Sequence, residues 1–190
     1  MINKYLKGKI IVMIDAANLE QSLKSLNWWI DYLKLCRLFD GGRLTEIRYY
    51  CVHHYAQNQD AFFTFLKKNK FSLITKPLKI IKRADMERGD IRKANFDVEI
   101  SVDALELQEK FDTLVLFSGD GDFAYLLENL RRKGKIVLVI STKHHIAKEL
   151  IVNSDKYIDI KKLRPYLERN KKARLLQRAV DNGFSSAPQS

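Results

Sequence analysis

Along this chain, apolar and polar positions follow two regimes: short unbroken apolar runs, and longer stretches with apolar residues three or four positions apart. Ile10-Ile-Val-Met-Ile14 follows the basic Lys9 and ends at Asp15. An apolar run of that length suits a strand buried on both faces of a parallel sheet. Leu44 to His53, Phe71 to Thr75, Thr113 to Phe117, Lys135 to Ile140 and Tyr157 to Ile160 share this strand composition. Between them the spacing turns helical. A helix is predicted from near Asn18, a second over Ile30 to Phe39 before Gly41-Gly42, and an interruption between them at Asn27 to Asp31. Asn58 to Asn69, Asp97 to Leu107, Asp122 to Lys133 with a stop at Gly134, and Ile146 to Val152 complete the set. Strands alternating with helices predict an α/β fold with a parallel sheet, right-handed crossovers and helices on both faces.

Two stretches break the pattern. From Lys76 to Lys93 periodicity fades while Lys76, Lys79, Lys82, Arg83, Arg88, Arg92 and Lys93 accumulate, which reads as a loop or hairpin excursion. After Arg164-Pro165 the chain becomes a basic helix candidate over 164–180, followed by a polar tail, 181–190, expected to be disordered. The main domain is therefore expected over 1–163, and a chain of 190 residues has material for one ordinary core.

Charge narrows the partners. With 34 Lys and Arg against 23 Asp and Glu the formal net charge is +11. A positive potential over much of the surface favours polyanions. Cys36 and Cys51 lie in apolar or aromatic segments without metal-binding spacing and read as reduced core residues. The first apolar run is too short for a signal sequence or a membrane span, so no membrane association and a cytoplasmic location are expected.

Open parallel sheets hold ligands at the carboxyl ends of their strands, so the residues just after each strand matter most. Two of these exits are acidic: Asp15-Ala-Ala-Asn18 after the first strand, and Ser118-Gly-Asp120-Gly-Asp122-Phe after Thr113 to Phe117. Asp97 opens a helix, whose start can face the same crevice. Several carboxylates in one crevice repel each other unless a cation neutralises them. Oxygen donors without a Cys or His set match Mg²⁺ or Mn²⁺ better than zinc. Asn18 and Ser118 are neutral groups suited to orienting water or a phosphate, and Gly119 and Gly121 are expected to let the backbone turn sharply around Asp120. Asp122 and Asp97 also qualify as plain helix caps. Asp15 is harder to explain that way, because an acid directly after five apolar strand residues is poorly placed for solvent unless it borders a cleft.

His53-His54 and His144-His145 point in different directions within each pair and read as surface residues. Of Trp28-Trp29, packing of one ring against the sheet is the simpler account, with base stacking as the alternative. A haloacid-dehalogenase-type phosphatase also places an Asp after its first strand but needs another two residues on, and position 17 is Ala.

The ordered set Asp15-x-x-Asn18, Asn95-Phe-Asp97 with Val-Asp103-Ala-Leu, and Leu-Phe-Ser118-Gly-Asp120-Gly-Asp122-Phe, then Leu-Arg-Arg-Lys-Gly-Lys, resembles the NYN domain, LabA-like branch, of the PIN-like nuclease group. The resemblance spans Lys9 to Ile160, about 80% of the chain. It implies a PIN-like three-layer α/β/α sandwich with a mostly parallel sheet, a divalent-metal site, and cleavage of single-stranded RNA. Carried over by position, Asp15, Asp97, Asp120 and Asp122 match the family's catalytic and metal-binding acids, and Asp103 matches a recurrent Asp. Asp103 lies about 120° around a helix from Asp97, so the two do not point at one ion. The lead into Asp97 departs from the family pattern: Ala94-Asn95-Phe96 replaces a small or Gly-Val approach. Lys79, Lys82, Arg83, Arg88, Arg92 and Lys93 would then guide a nucleic-acid backbone towards the acids. A non-catalytic RNA-binding or regulatory module and a nuclease acting on single-stranded DNA are the alternatives, and a homodimer stays open.

Overall fold

The computed structural model describes residues 2–41, 43–53, 57–77, 79–81, 91–93 and 95–169, with 57–58, 79–81 and 91–93 described by their backbone. Six strands form one parallel sheet: β1 (Ile10–Asp15), β2 (Leu44–His53), β3 (Phe71–Pro77), β6 (Thr113–Phe117), β7 (Ile136–Ser141) and β8 (Lys156–Asp159). Their spatial order is β3-β2-β1-β6-β7-β8. The order runs outward from β1 in one direction and then resumes from β6 in the other. Connections therefore leave the carboxyl ends of β1 and β6 on opposite sides of the sheet, which opens a crevice between them.

Burial on both faces explains the unbroken apolar runs. Ile10, Val12 and Ile14 enter one core with Val115 and Phe117, while Ile11 and Met13 enter the other with Leu114 and Leu116. The first face is covered by α1 (Ala16–Leu26), α2 (Tyr32–Phe39) and α3 (Gln57–Lys68). The second is covered by α4 (Asp97–Glu106), α5 (Ala124–Arg132) and α6 (Lys148–Val152). This is the expected α/β/α sandwich.

Local chemistry sets the element ends. Asp15 is both the last residue of β1 and the cap of α1, so the helix begins at Ala16 rather than near Asn18. Asn27 adopts a left-handed conformation (φ 53°) and stops α1, and Asp31 caps α2 through the backbone N–H groups of Leu33 and Lys34. The interruption between the two helices is thus where the pattern places it, and Trp28 within it is 1% exposed. The helix expected from Asp122 begins instead as a single 3₁₀ turn, Gly121–Phe123, before α5. Gly134 (φ 76°) closes α5, with the Lys135 N–H donating to the Leu130 carbonyl, a turn that glycine adopts without a Cβ clash.

The basic excursion divides. Lys76 and Pro77 belong to β3, a correction to the loop expected from Lys76 onward, because the ladder with β2 runs to His53–Pro77. Beyond it β4 (Lys79–Ile81) and β5 (Ile91–Lys93) pair antiparallel, with Lys79 opposite Lys93 and Ile80 opposite Arg92. Lys82, Arg83 and Arg88 lie outside the described residues. The segment expected as a helix over 164–180 begins as α7 (Arg164–Leu167), and Glu168 then turns extended to bridge Ile30. Residues 170–190 lie outside the described set. Cys36 and Cys51 are free thiols, and no described helix is long and apolar enough to cross a membrane.

Candidate active site

The two strand exits are stitched together by hydrogen bonds. Asp15 is 6% exposed and accepts from the Asn18 backbone N–H (3.2 Å), from Asn18 Nδ2 (2.7 Å) and from Ser118 Oγ (3.3 Å). Asn18 Oδ1 in turn accepts from the Gly119 N–H at 3.2 Å, and Ser118 Oγ accepts from the Asp120 N–H at 3.2 Å. Asn18 and Ser118, expected to orient water or phosphate, are thus engaged in fixing Asp15 and the β6 exit. Burial holds the Asp15 carboxyl above its ordinary range even though these donors oppose the shift.

Asp120 accepts from the Asp122 N–H at 3.1 Å and caps the 3₁₀ turn, so the capping expected of Asp122 falls to its neighbour. Asp97 is the first residue of α4 rather than its cap; the cap position is Phe96, which makes no side-chain bond. Asp97, Asp120 and Asp122 each offer a carboxylate oxygen within 4.8 Å of the others. Asp15 is not one of this trio, but its charge reaches it. The Asp97 carboxyl is pushed up to about 6, first by burial and then by the charges of Asp120, Asp15 and Asp122, against a 2.6 Å hydrogen bond from Asn95 Nδ2.

Among the described residues no Lys or Arg forms an ion pair with any of these four acids. A compact set of hard oxygen donors with no countercharge among the described residues fits a divalent cation of the Mg²⁺ or Mn²⁺ type. Asp97, Asp120 and Asp122 are the residues that could hold one.

Asp103 sits elsewhere. Its carboxylate accepts from the Tyr50 hydroxyl at 2.8 Å and pairs with Arg48 at 3.1 Å, so it ties α4 to β2. Neither Tyr50 nor Arg48 stands out in the sequence, although Tyr50 is the register partner of Asp15 on the adjacent strand. Asn95 is the other contributor that spacing alone did not single out. Lys76 lies 2.7 Å from Glu99 and over the Phe96 ring, so it supports α4. Lys79, Arg92 and Lys93 stand on the β4–β5 hairpin, which precedes Asp97 in the chain. Neither Gly119 nor Gly121 adopts a positive φ. Gly119 is required by close approach: a Cβ there would fall on the His145 carbonyl oxygen and 2.7 Å from Ser141 Oγ. Trp29, His53 and His144–His145 lie outside the acid trio, with His53 3.0 Å from Asp60.

Comparison with known proteins gives a consistent result. The family model for the NYN domain matches residues 9–181. The low amplitude and bright protein LabA of Synechococcus elongatus is 30% identical over 168 residues, covering 87% of this chain and 90% of that protein. A crystal structure of a protein of unknown function from Vibrio parahaemolyticus superposes with a TM-score of 0.70 at 25% identity, covering 85% of this chain and 96% of the other.

Proposed function

Because the chain belongs to the NYN domain family, in its LabA-like branch within the PIN-like nuclease group, we propose that it is a divalent-metal-dependent endoribonuclease acting on single-stranded RNA. One observation carries the reading: three carboxylates converge within 4.8 Å, and among the described residues no Lys or Arg forms an ion pair with them. Such repulsion is retained where a bound cation offsets it.

In this reading Asp97, Asp120 and Asp122 hold the cation. Asp15, locked by Asn18 and Ser118, adds a fixed negative charge beside it and fixes the β6 exit on which Asp120 and Asp122 ride. A divalent cation bound there supplies Lewis acidity towards water and the scissile phosphate. The raised Asp97 carboxyl of the metal-free cluster reflects burial and the repulsion among these acids, and a bound cation would relieve that repulsion. Asn95 Nδ2 orients that carboxylate. The overall charge of +11, including Lys79, Arg92 and Lys93 on the hairpin that leads into α4, draws the anionic strand to an otherwise acidic crevice.

The test is cleavage of end-labelled single-stranded RNA and DNA with Mn²⁺, Mg²⁺ or EDTA, comparing the native chain with Asp97→Asn and Asp120→Asn. Cleavage of RNA that needs the metal, and that falls in both folded variants by more than the roughly 100-fold typical of outer-sphere partners, is expected. Cleavage that survives EDTA or both substitutions overturns the reading. Preference for DNA would keep the site and change the substrate.

A further inference from the structure

A second, chemically different concavity lies on the flank of β8, the outermost strand of the sheet. Its volume is about 280 Å³, close to the roughly 300 Å³ lower bound of small-ligand sites. The floor is apolar, formed by Ile2, Ile158 and Leu163, all buried. The rim is cationic, with Lys4, Lys156 and Lys162. Asp159 is the acid of the lining, and its Oδ1 is turned to the Lys161 N–H at 3.0 Å, where it caps the following 3₁₀ turn.

Tyr5 organises that rim. The ammonium groups of Lys4 and Lys156 lie 4.9 Å and 5.4 Å from its ring centroid, so residues far apart in the chain meet at one aromatic ring. A hydrogen bond from Lys4 and the charge of Lys156 hold the Tyr5 hydroxyl below its ordinary value, opposed by desolvation. Three cations, Lys4, Lys156 and Lys162, thus line this pocket against one acid, Asp159, the inverse of the aspartate crevice.

We propose that this pocket binds a nucleoside phosphate, the nucleobase lying on the Ile2–Ile158–Leu163 floor and the phosphate reaching Lys4, Lys156 and Lys162. An apolar floor beside ammonium donors matches that ligand better than inorganic phosphate, which has nothing to place on the floor. Two sources share the chemistry: a free mononucleotide, or one residue of a single-stranded nucleic acid. Lys4 and Tyr5 precede the residues that match the family, 9–181, so the pocket is partly built from outside the family's common core. The proposal stands independently of the nuclease reading.

The experiment is calorimetric titration in EDTA with adenosine 5′-monophosphate, a short single-stranded oligoadenylate and inorganic phosphate. Native chain is compared with the double variant Lys4→Gln/Lys156→Gln. A control, Lys7→Gln/Lys161→Gln, removes the same charge away from the lining. The expected result is nucleotide binding tighter than phosphate, weakened about tenfold or more in the pocket variant and kept in the control. If the oligomer is weakened in parallel, the source is a polymer; if only the mononucleotide binds, it is a free nucleotide. Equal loss in both double variants, no preference over phosphate, or loss of binding in Asp120→Asn instead overturns the proposal. Since cleavage is not measured, failure here leaves the acid site untouched, and failure of the nuclease test leaves this site untouched.

Discussion

Asn18 Oδ1 accepts from the Gly119 N–H at 3.2 Å while the same side chain donates from Nδ2 to Asp15 at 2.7 Å, so one amide spans the exits of β1 and β6. Only a side chain with both a donor and an acceptor does this. Asn18→Ala leaves a buried carboxylate short of a donor and is expected to cost about 1–3 kcal/mol of stability. Activity should drop by roughly 10–100-fold, the usual range for partners that orient metal-binding groups. In metal-free buffer Asn18→Asp should be worse than Asn18→Ala, since it sets a second carboxylate against Asp15. Thermal unfolding of both variants checks this, and the reverse order would show that the amide is not what holds Asp15.

Asp103 is expected to act through position rather than by touching a cation. Its carboxylate joins Tyr50 and Arg48, and Tyr50 packs on Phe96 with ring centroids 6.1 Å apart, immediately before Asp97. Burial and the bond to Asp103 raise the Tyr50 hydroxyl far above its ordinary value, so it remains a donor. Asp103→Asn and Tyr50→Phe should each destabilise by about 1–3 kcal/mol, and less than additively together because they share one interaction. Both should retain cation-induced stabilisation. Its loss in either would make Asp103 a direct ligand.

Much of this was legible in the sequence, for identifiable reasons. Ile10–Ile14 and Thr113–Phe117 are apolar throughout because both faces of the central strands are buried, and that leaves no ambiguity about the element. Asp15 and Asp120–Asp122 were conspicuous because each follows such a run. Asp97 came from its place at a helix start. The Tyr50–Asp103–Arg48 link is not legible, since it depends on how α4 lies against β2 and on the rotation of α4, neither of which is written locally. Lys76 looked like loop because its partners, Glu99 and Phe96, lie on another element. The role of Gly119 was hidden for the same reason: the group that excludes a side chain, the His145 carbonyl, is more than twenty positions away.

That close approach makes a comparison possible between two glycines in one loop. Gly119→Ala forces a Cβ onto backbone that is also tied by the Ala147 N–H to Gly119 carbonyl bond at 3.0 Å, so neither side yields easily. A cost of about 1–3 kcal/mol is expected. At Gly121 the Cβ would lie 3.2 Å from the Ala147 methyl, and a shift of a few tenths of an ångström relieves it. Gly121→Ala should therefore be the milder change in a denaturant titration, and equal effects would mean that the loops are not packed as described.

The Asp97 carboxyl ties stability to pH and to metal with opposite signs. Its folded value, about 6, lies above the unfolded value of about 3.9, so between these the folded state holds a proton that the unfolded state has lost. In metal-free protein the group therefore destabilises above pH 6, the penalty shrinks as pH falls through 6, and it is gone below about 4. Because Asp97 is only partly buried, solvent screening reduces the effect to about 1 kcal/mol, or a few degrees in Tm. Asp97→Asn should accordingly stabilise the metal-free protein at pH 7 and flatten this part of its pH profile. A saturating divalent cation reverses the comparison, since it binds the charged cluster and adds about 2.7 kcal/mol to the native chain at a hundredfold excess over Kd. That gain should fade as pH drops below 6, when protons compete for Asp97, and should be much smaller in Asp97→Asn at every pH. Differential scanning calorimetry of both proteins from pH 5 to 8, in EDTA and in Mn²⁺, makes the comparison directly. Identical pH profiles in EDTA would mean that Asp97 does not feel its acidic neighbours. Equal Mn²⁺ stabilisation of both chains would place the cation away from it.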